Sequence, residues 1–516
     1  MELELLDCTI RDGGYYTNWD FDPDMVDIYL KSMNELPIEY LEIGYRSKPL
    51  SGYHGEFFYC PNYLINEIKS KTDKKLVIIL NEKDVLAQDA EEILLGCVNK
   101  IDLVRIAIDP KNFLRSIELA KVIKQLGFKV GFNVMYMSTW KENKEFLSQL
   151  ELTNGVIDYF YMVDSFGGVF PEDVKELFDI VKDKVSAKVG FHGHNNLELA
   201  LINTLTAIQC GVDIVDATIT GMGRGAGNLK TELLLTTLNS KSELNLNFNA
   251  LGKVVDIFTQ LQNEHKWGTN LGYMVSGAHS IPQKEVMEWF ANRFYSFNSI
   301  IRALSNRSKG ILDNVKLKKL DFNTQNKFDK AIIIGGGPSV KMHAKGLYQF
   351  ILSQPDIVII HASSKNGKYF QSLPNQQYFC LVGNEGHRLE EVFSFDKKFN
   401  GKCILPPYPR VMGTYIPMHL NESAFELSDV NFTDKYQDSH TALALETARE
   451  LGCTQVFIAG YDGYSGLSMG KKEKGLFKEN EYLFTQLKNN GISLVSVTET
   501  QYEGMTQTSL YKFLNV

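Results

Sequence analysis

Two histidines stand two residues apart in Phe191-His192-Gly193-His194-Asn195-Asn196, at the end of an apolar run. On an extended strand, positions i and i+2 face the same side, so both imidazoles reach one ion. Near the start, Asp7-Cys8-Thr9-Ile10-Arg11-Asp12-Gly13-Gly14 sets a cation beside a carboxylate where the apolar residues Leu3, Leu5 and Leu6 give out. Such a pair is a poor core element, but it suits a place where a divalent metal and a developing oxyanion are held together. Asp12 then adds an oxygen to the two histidine nitrogens. A mixed site of this kind, with positions left for water and substrate, suits Mn²⁺, Mg²⁺, Co²⁺ or Zn²⁺, with Mn²⁺ as first choice. A third stretch, Gly221-Met222-Gly223-Arg224-Gly225-Ala226-Gly227-Asn228, lets backbone approach a small substrate and places the Asn228 amide oxygen for the same ion. Alone, each of these reads as a surface or packing feature. Their combination points to chemistry.

The elements that must position these residues are a strand and a helix in alternation from residue 3 to about 240. Apolar strand runs lie at Leu3–Leu6, Tyr40–Ile43, Leu76–Leu80, Leu103–Ile108, Val130–Val134, Tyr159–Val163, Lys188–Phe191 and Ile214–Ile219. Between them, stretches such as 24–35, 113–125, 171–182 and 197–209 carry apolar residues three and four apart. Pro23, Pro61, Pro110 and Pro171 stand where helices begin. Eight such units predict a (β/α)8 barrel, and continuous apolar strands predict a buried parallel sheet. Arg11 with Asp12, Glu42, Asn81 with Glu82, Arg105, Asn133, Asp164 with Ser165, His192 to Asn195, and Thr218 before Gly221 are expected at the strands' C-terminal ends. That is the face where this fold carries its active site.

Taken together, Arg-Asp-Gly at the first strand, Glu42 at the second, the histidine pair at the seventh and the glycine loop after the eighth resemble the DRE-TIM metallolyase superfamily. The resemblance covers about residues 3–300, and the short glycine loop looks most like the 4-hydroxy-2-oxovalerate aldolase branch. It implies Asp12, His192 and His194 as metal ligands, with Asn228 a fourth or outer contact. Arg11 would stabilise an enolate oxygen, and Glu42 would orient Arg11. The shared chemistry makes or breaks a C–C bond through an enolate, with a 2-oxo acid such as pyruvate and an aldehyde as substrates. Where the aldolase branch carries an acid/base histidine, this chain has Gly14-Tyr15-Tyr16, so Tyr15 or Tyr16 is expected to take over proton transfer. His54, Tyr273 and His279 are further candidates for that role. An acyl-CoA condensing (Claisen-type) enzyme is an alternative, which the short glycine segment disfavours. A non-catalytic barrel serving a C-terminal binding or glycosyltransferase-like module is another, which the intact polar set disfavours.

Residues 241–325 read as a helical extension and linker, with helical patterns at Leu251–Gln262, Lys284–Ala291 and Phe297–Leu304 and a polar run over Val315–Lys330. From about 326 to 516 a second α/β unit is expected, with strands at Lys330–Ile334, Ile357–Ile360, Tyr378–Val382, Val456–Ala459 and Ser493–Val497. Gly335-Gly336-Gly337-Pro338-Ser339 follows its first strand and forms a phosphate-compatible turn before a helix. With the helix at 439–451 and Gly460-Tyr461-Asp462, this half resembles Rossmann-like domains of the hydroxymethylpterin-diphosphokinase-like and sialyltransferase-like groups. That resemblance implies a nucleotide or nucleotide-sugar at residues 335–339, with His440 and Asp462 as site candidates, and a place in surface polysaccharide biosynthesis.

Composition sets outer bounds. The 516 residues exceed one ordinary domain, and the net charge of -8 argues against nucleic-acid and anionic-membrane partners. No apolar run approaches the roughly 20 residues of a membrane span. Seven scattered cysteines without paired metal spacing predict free thiols in a reducing cytoplasm. A homodimer or higher homo-oligomer is expected.

Overall fold

The computed structural model describes residues 3–514 apart from 243, 282–285, 287–296, 312–315, 321–327, 394–398, 411–414 and 465–470. It falls into two compact units, Met1–Val286 and Met287–Val516.

The first unit is a closed barrel of eight parallel strands in sequence order. They are β1 (Glu4–Asp7), β2 (Tyr40–Tyr45), β3 (Lys75–Asn81), β4 (Leu103–Ile108), β5 (Lys129–Val134), β6 (Tyr159–Asp164), β7 (Lys188–Gly193) and β8 (Ile214–Ala217). Closure is made where β1 pairs with β8, from Glu4 against Ile214 to Asp7 against Ala217. Helices Pro23–Asn34, Phe113–Gln125 and Pro171–Lys184 lie on the expected periodic stretches. Pro23 and Pro171 occupy the first helical turn, where a missing N–H costs nothing. The expected 197–209 helix begins at Ala200 and runs to Cys210. Strand residues pointing outward join the helices in one large apolar core.

Inside the barrel, polar and aromatic residues replace a purely aliphatic filling. At the N-terminal end the Tyr40 and Tyr159 hydroxyls meet at 3.0 Å, and Tyr159 donates to Glu4. Above them, Leu6, Val77, Leu103, Tyr161 and Ile214 form an inner apolar layer. The Arg105 guanidinium lies 4.0 Å from the centre of the Tyr161 ring.

Helix Phe248–His265 packs against the barrel's outer layer, with Phe258 edge-on to Tyr29 at 6.1 Å. It and helix Leu271–Ala278 belong to the first unit, whereas Phe297–Ser308 belongs to the second. The helix expected over Lys284–Ala291 lies outside the described residues, apart from Val286.

The second unit is built on eight parallel strands: β9 (Lys330–Ile334), β10 (Ile357–His361), β11 (Gln377–Cys380), β12 (Lys402–Leu405), β13 (Ala424–Glu426), β14 (Gln455–Ala459), β15 (Ser493–Ser496) and β16 (Thr506–Gln507). Their order is β13-β12-β11-β10-β9-β14-β15-β16, so the winding reverses beside β9. Three strands not expected from the sequence are β12, β13 and β16, of four, three and two residues. Part of the expected linker is not solvated: Lys319 bridges Glu426 at the edge of the sheet, and Leu320 is buried.

Candidate active site

Arg11 and Asp12 do not sit at the end of a strand as their sequence context suggests. β1 stops at Asp7, whose carboxylate accepts the Thr9 N–H, and the chain turns at once into helix Thr9–Thr17. Gly13 and Gly14 lie inside that helix and do not end it. A Cβ on Gly14 would stand 2.1 Å from the Trp19 ring, and Trp19 in turn donates its indole N–H to the Arg11 carbonyl. The glycines let the helix pack closely, Gly13 against Met222 and Gly14 against Trp19, and Arg11 and Asp12 are buried at its start.

There they enter a buried charge network. Arg11 pairs with the Asp12 carboxylate and donates Nε to Glu42 Oε2 at 2.6 Å. Glu42 lies within β2 beside a register shift, and its other oxygen faces Arg105 at 3.4 Å. Arg105 donates to Asp216 at 2.5 Å and to Asn133 at 2.6 Å. Asp216 accepts from His192 Nδ1 at 2.8 Å, leaving His192 Nε2 3.9 Å from Asp12. Burial pushes both Asp12 and Asp216 upward, but Arg11 and the histidines outweigh it for Asp12, and Arg105 and His192 outweigh it for Asp216. Both stay below the usual carboxylate range.

The two imidazoles face one region, with centroids 5.0 Å apart. His194 Nδ1 is anchored by the Asp164 carbonyl at 2.8 Å, and a bridge between His194 and Asn228 brings the glycine loop alongside. Burial, with His192 next, pushes the His194 imidazole down to about 3, so it stays neutral and able to ligate. Asn228 donates to Asp12 at 2.7 Å, while its Oδ1 is buried without a hydrogen-bond partner. Gly223 permits this, since a Cβ there would lie 2.6 Å from Asn228 Nδ2.

These contacts bear on a divalent cation. Each histidine spends Nδ1 on a protein acceptor, the arrangement that orients Nε2 as a ligand. Two atoms each about 2.0–2.2 Å from one ion stand up to roughly 4 Å apart, which His192 Nε2 and Asp12 satisfy. The orphaned Asn228 oxygen offers a further ligand. Among the described residues, the trio whose ligand atoms all lie within 4.8 Å of one another is Cys8, His192 and Asp216, not Asp12, His192 and His194. That trio is poorly suited, because Asp216 is already committed to Arg105 and His192, and burial holds the Cys8 thiol protonated.

The comparisons with known proteins follow this geometry. The sequence pattern of the HMGL-like family matches residues 2–257. A 4-hydroxy-2-oxovalerate aldolase from Carboxydothermus hydrogenoformans is 30% identical over 243 residues, 46% of this chain and 70% of the relative. The chain belongs to the HMGL-like family. An oxaloacetate decarboxylase from Mycobacterium tuberculosis is 27% identical over 248 residues, 46% of this chain and 71% of its own. A solved N-terminal domain from Bacteroides vulgatus, provisionally assigned as an aldolase, is 56% identical; it covers 58% of this chain and all of its own, with a TM-score of 0.56.

Within this HMGL-like barrel the two tyrosines part company. Tyr16 packs against Trp267 and His265 and bonds the Gly225 backbone, and burial pushes its phenol well above the ordinary value. Tyr15 shares a 2.9 Å hydrogen bond with the Tyr45 hydroxyl, and the Arg224 guanidinium lies 4.4 Å over its ring. Among the other candidates, His54 stacks on Phe58 at 4.4 Å, and burial pushes the Tyr273 phenol up to about 12. His279 ends helix Leu271–Ala278.

Other polar strand ends have structural duties. Asn81 accepts the Lys83 N–H, Glu82 holds Asn112 and Arg115, and Ser165 accepts the Tyr136 N–H. Asp164 accepts the Gly168 and Val169 amides. Asn195 accepts the Ala200 N–H, and the Thr218 N–H joins the Leu229 carbonyl. Sequence reading passed over Asp216, Tyr45 and Arg224. Asp216 carried a signal, a carboxylate inside the apolar run Ile214-Val215-Asp216-Ala217, since such residues are buried only when paired.

In the second unit, the turn at 335–339 spends its amides internally. Gly335 donates to Ala459, Gly337 to Gly460, and Ser339 gives both its N–H and its hydroxyl to Asp462. The Asp462 carboxylate thus takes the place a phosphate would occupy at the Ser339 amide. Of the expected phosphate-binding residues Gly335, Gly336, Gly337, Pro338 and Ser339, the Gly335, Gly337 and Ser339 amides are thus engaged within the protein. A cavity of about 260 Å³ opens at the turn, lined by Gly335, Gly336, Ser363, Arg388, His440 and Tyr461 among others.

Proposed function

We propose that the barrel is a divalent-cation-dependent aldolase that makes or breaks a carbon–carbon bond beside the carbonyl of a 2-oxo acid such as pyruvate, with an aldehyde as the other partner. The observation that carries this reading is the pair of imidazoles 5.0 Å apart, each anchored through Nδ1, with His192 Nε2 3.9 Å from Asp12 beside Arg11. Asp12, His192 and His194 would hold the cation, with Asn228 Oδ1 a fourth contact, and Mn²⁺ is the first choice. A cation there supplies Lewis acidity toward the oxo acid's carbonyl and carboxylate oxygens.

The chain's own residues do the rest. Arg11 balances the charge that grows on the enolate oxygen, and Glu42 fixes the guanidinium through Nε so that little reorganisation is needed. Arg105 keeps Asp216 ionised, and Asp216 keeps His192 in the required tautomer. Tyr15, hydrogen-bonded to Tyr45, delivers a proton to the aldehyde oxygen during addition and removes it during cleavage. Tyr16 shapes the wall.

The test is exchange of pyruvate methyl protons with D₂O, followed by NMR with Mn²⁺ present. Exchange well above the buffer rate, abolished by His192→Ala, is expected. Exchange at the buffer rate would sink the reading.

For the second unit, the reversal of strand order beside β9 and the cavity at that point support a Rossmann-like domain binding a nucleotide or nucleotide-sugar, since open parallel sheets take ligands at such reversals. Recognition would fall to Gly335 and Gly336 of the glycine turn together with Arg388, His440 and Tyr461, which line the same cavity. With the barrel, this supports a role in building a surface sugar. All seven cysteines are free thiols, in keeping with a cytoplasmic setting, and no helix among the described residues is long and apolar enough to cross a membrane. Calorimetric titration with CMP and UDP checks the nucleotide reading, and no heat with either counts against it.

A further inference from the structure

The glycine loop carries one large polar side chain, and the loop's conformation does not call for it. Glycine is demanded at 223 by Asn228, and Gly225 and Gly227 adopt positive φ of 61° and 78°. Arg224 between them is under no such constraint. Among the described residues its guanidinium has no recorded carboxylate partner; it lies over the Tyr15 ring at 4.4 Å and acts electrostatically on Asp12, Tyr45 and Tyr136. It is half-buried, whereas Arg11, Asp12 and His192 are buried.

Charge balance says what it is for. Asp12, Glu42 and Asp216 face Arg11 and Arg105, leaving one negative charge in the network. A divalent cation turns that into one positive charge, the match of a monoanionic 2-oxo acid. The positive charge of Arg224 remains unmatched. It lies over the ring of Tyr15, the residue assigned above to the aldehyde oxygen.

We infer that Arg224 is a specificity-determining residue that binds an anionic group, carboxylate or phosphate, carried by the aldehyde partner. The inference rests on the aldolase reading above. Tyr15 then handles the aldehyde oxygen, while Arg224 grips the far end of the same molecule through charge-assisted hydrogen bonds.

The full-length protein loaded with Mn²⁺ is assayed for addition of pyruvate to glyoxylate, to glyceraldehyde 3-phosphate and to neutral propanal. A preference of about tenfold or more in kcat/KM for an anionic acceptor is expected, lost in Arg224→Gln and partly kept in Arg224→Lys. The better of the two anionic acceptors identifies the group as carboxylate or phosphate. The rise in KM should fall on the aldehyde. An equal rise for pyruvate would place the oxo acid's carboxylate at Arg224 and overturn the inference, as would a wild-type enzyme indifferent to acceptor charge. Calorimetric titration with 3-phosphoglycerate and with succinate, neither of which has a carbonyl to react, decides without turnover. Weaker binding of either in Arg224→Gln supports the inference, and unchanged binding of both overturns it. Failure of pyruvate proton exchange would remove the aldolase reading alone, leaving these titrations to judge Arg224.

Discussion

Glu42 faces two arginines at once, Arg11 through one carboxylate oxygen and Arg105 through the other. Its replacement by glutamine keeps the shape and removes the charge that fixes both guanidinium groups. Glu42→Gln should lower the rate of pyruvate proton exchange about 10- to 100-fold, the usual scale for a residue that orients a site's ligands and cations. NMR exchange rates at saturating pyruvate measure it. His194 yields a pH prediction. Its imidazole titrates at about 3 in the folded chain against an ordinary value near 6.5, so below that value the unfolded chain takes up a proton the folded chain refuses. Its contribution to stability is therefore complete above about pH 6.5 and drains away as the pH falls toward 3. Metal-free protein in EDTA should lose less Tm between pH 7 and pH 5 as His194→Asn than as wild type, and parallel curves would contradict this.

At the scale of elements, the helix Thr9–Thr17 and strands β2, β4 and β8 are tied by charge and not by apolar packing alone. Arg105 is wholly buried and joins Asp216, Asn133 and Glu42. Arg105→Leu leaves Asp216 and Glu42 as buried charges short of a partner, a change that costs about 3–5 kcal/mol, read as a lower urea midpoint. The same helix depends on Gly14, whose added methyl would collide with Trp19. Gly14→Ala should destabilise by about 1–3 kcal/mol through overpacking, and should slow proton exchange by moving Arg11.

At the scale of the molecule, the two compact units predict separable stability. A chain ending at residue 286 should fold and keep pyruvate proton exchange, in keeping with the N-terminal domain from Bacteroides vulgatus having been solved by itself. Thermal unfolding of the full chain should show two transitions, of which only the first unit's moves on adding Mn²⁺. A single transition, or a truncated chain without near-UV circular dichroism, would contradict this.

The barrel was legible in the amino-acid order because its evidence is local. Each strand is a short apolar run such as Leu76–Leu80, each helix an apolar stripe opened by a residue like Pro23 or Pro171, and a closed parallel sheet buries them all. The histidine pair was legible for the same reason, since i and i+2 share a face wherever a strand lies. Tertiary structure alone decided the rest. Arg105 and Asp216 lie 111 residues apart and meet only when β4 and β8 face each other across the closed barrel. The turn at 335–339 meets Asp462, 123 residues on, through the Ser339 amide, a pairing that no local pattern announces. Hydrophobic periodicity is written in neighbouring residues, whereas the partner of a buried charge is chosen by chain closure. That is why the strands, and Arg11 with Asp12 and Glu42, could be read from the sequence, and the Arg105–Asp216 half of the charge network could not.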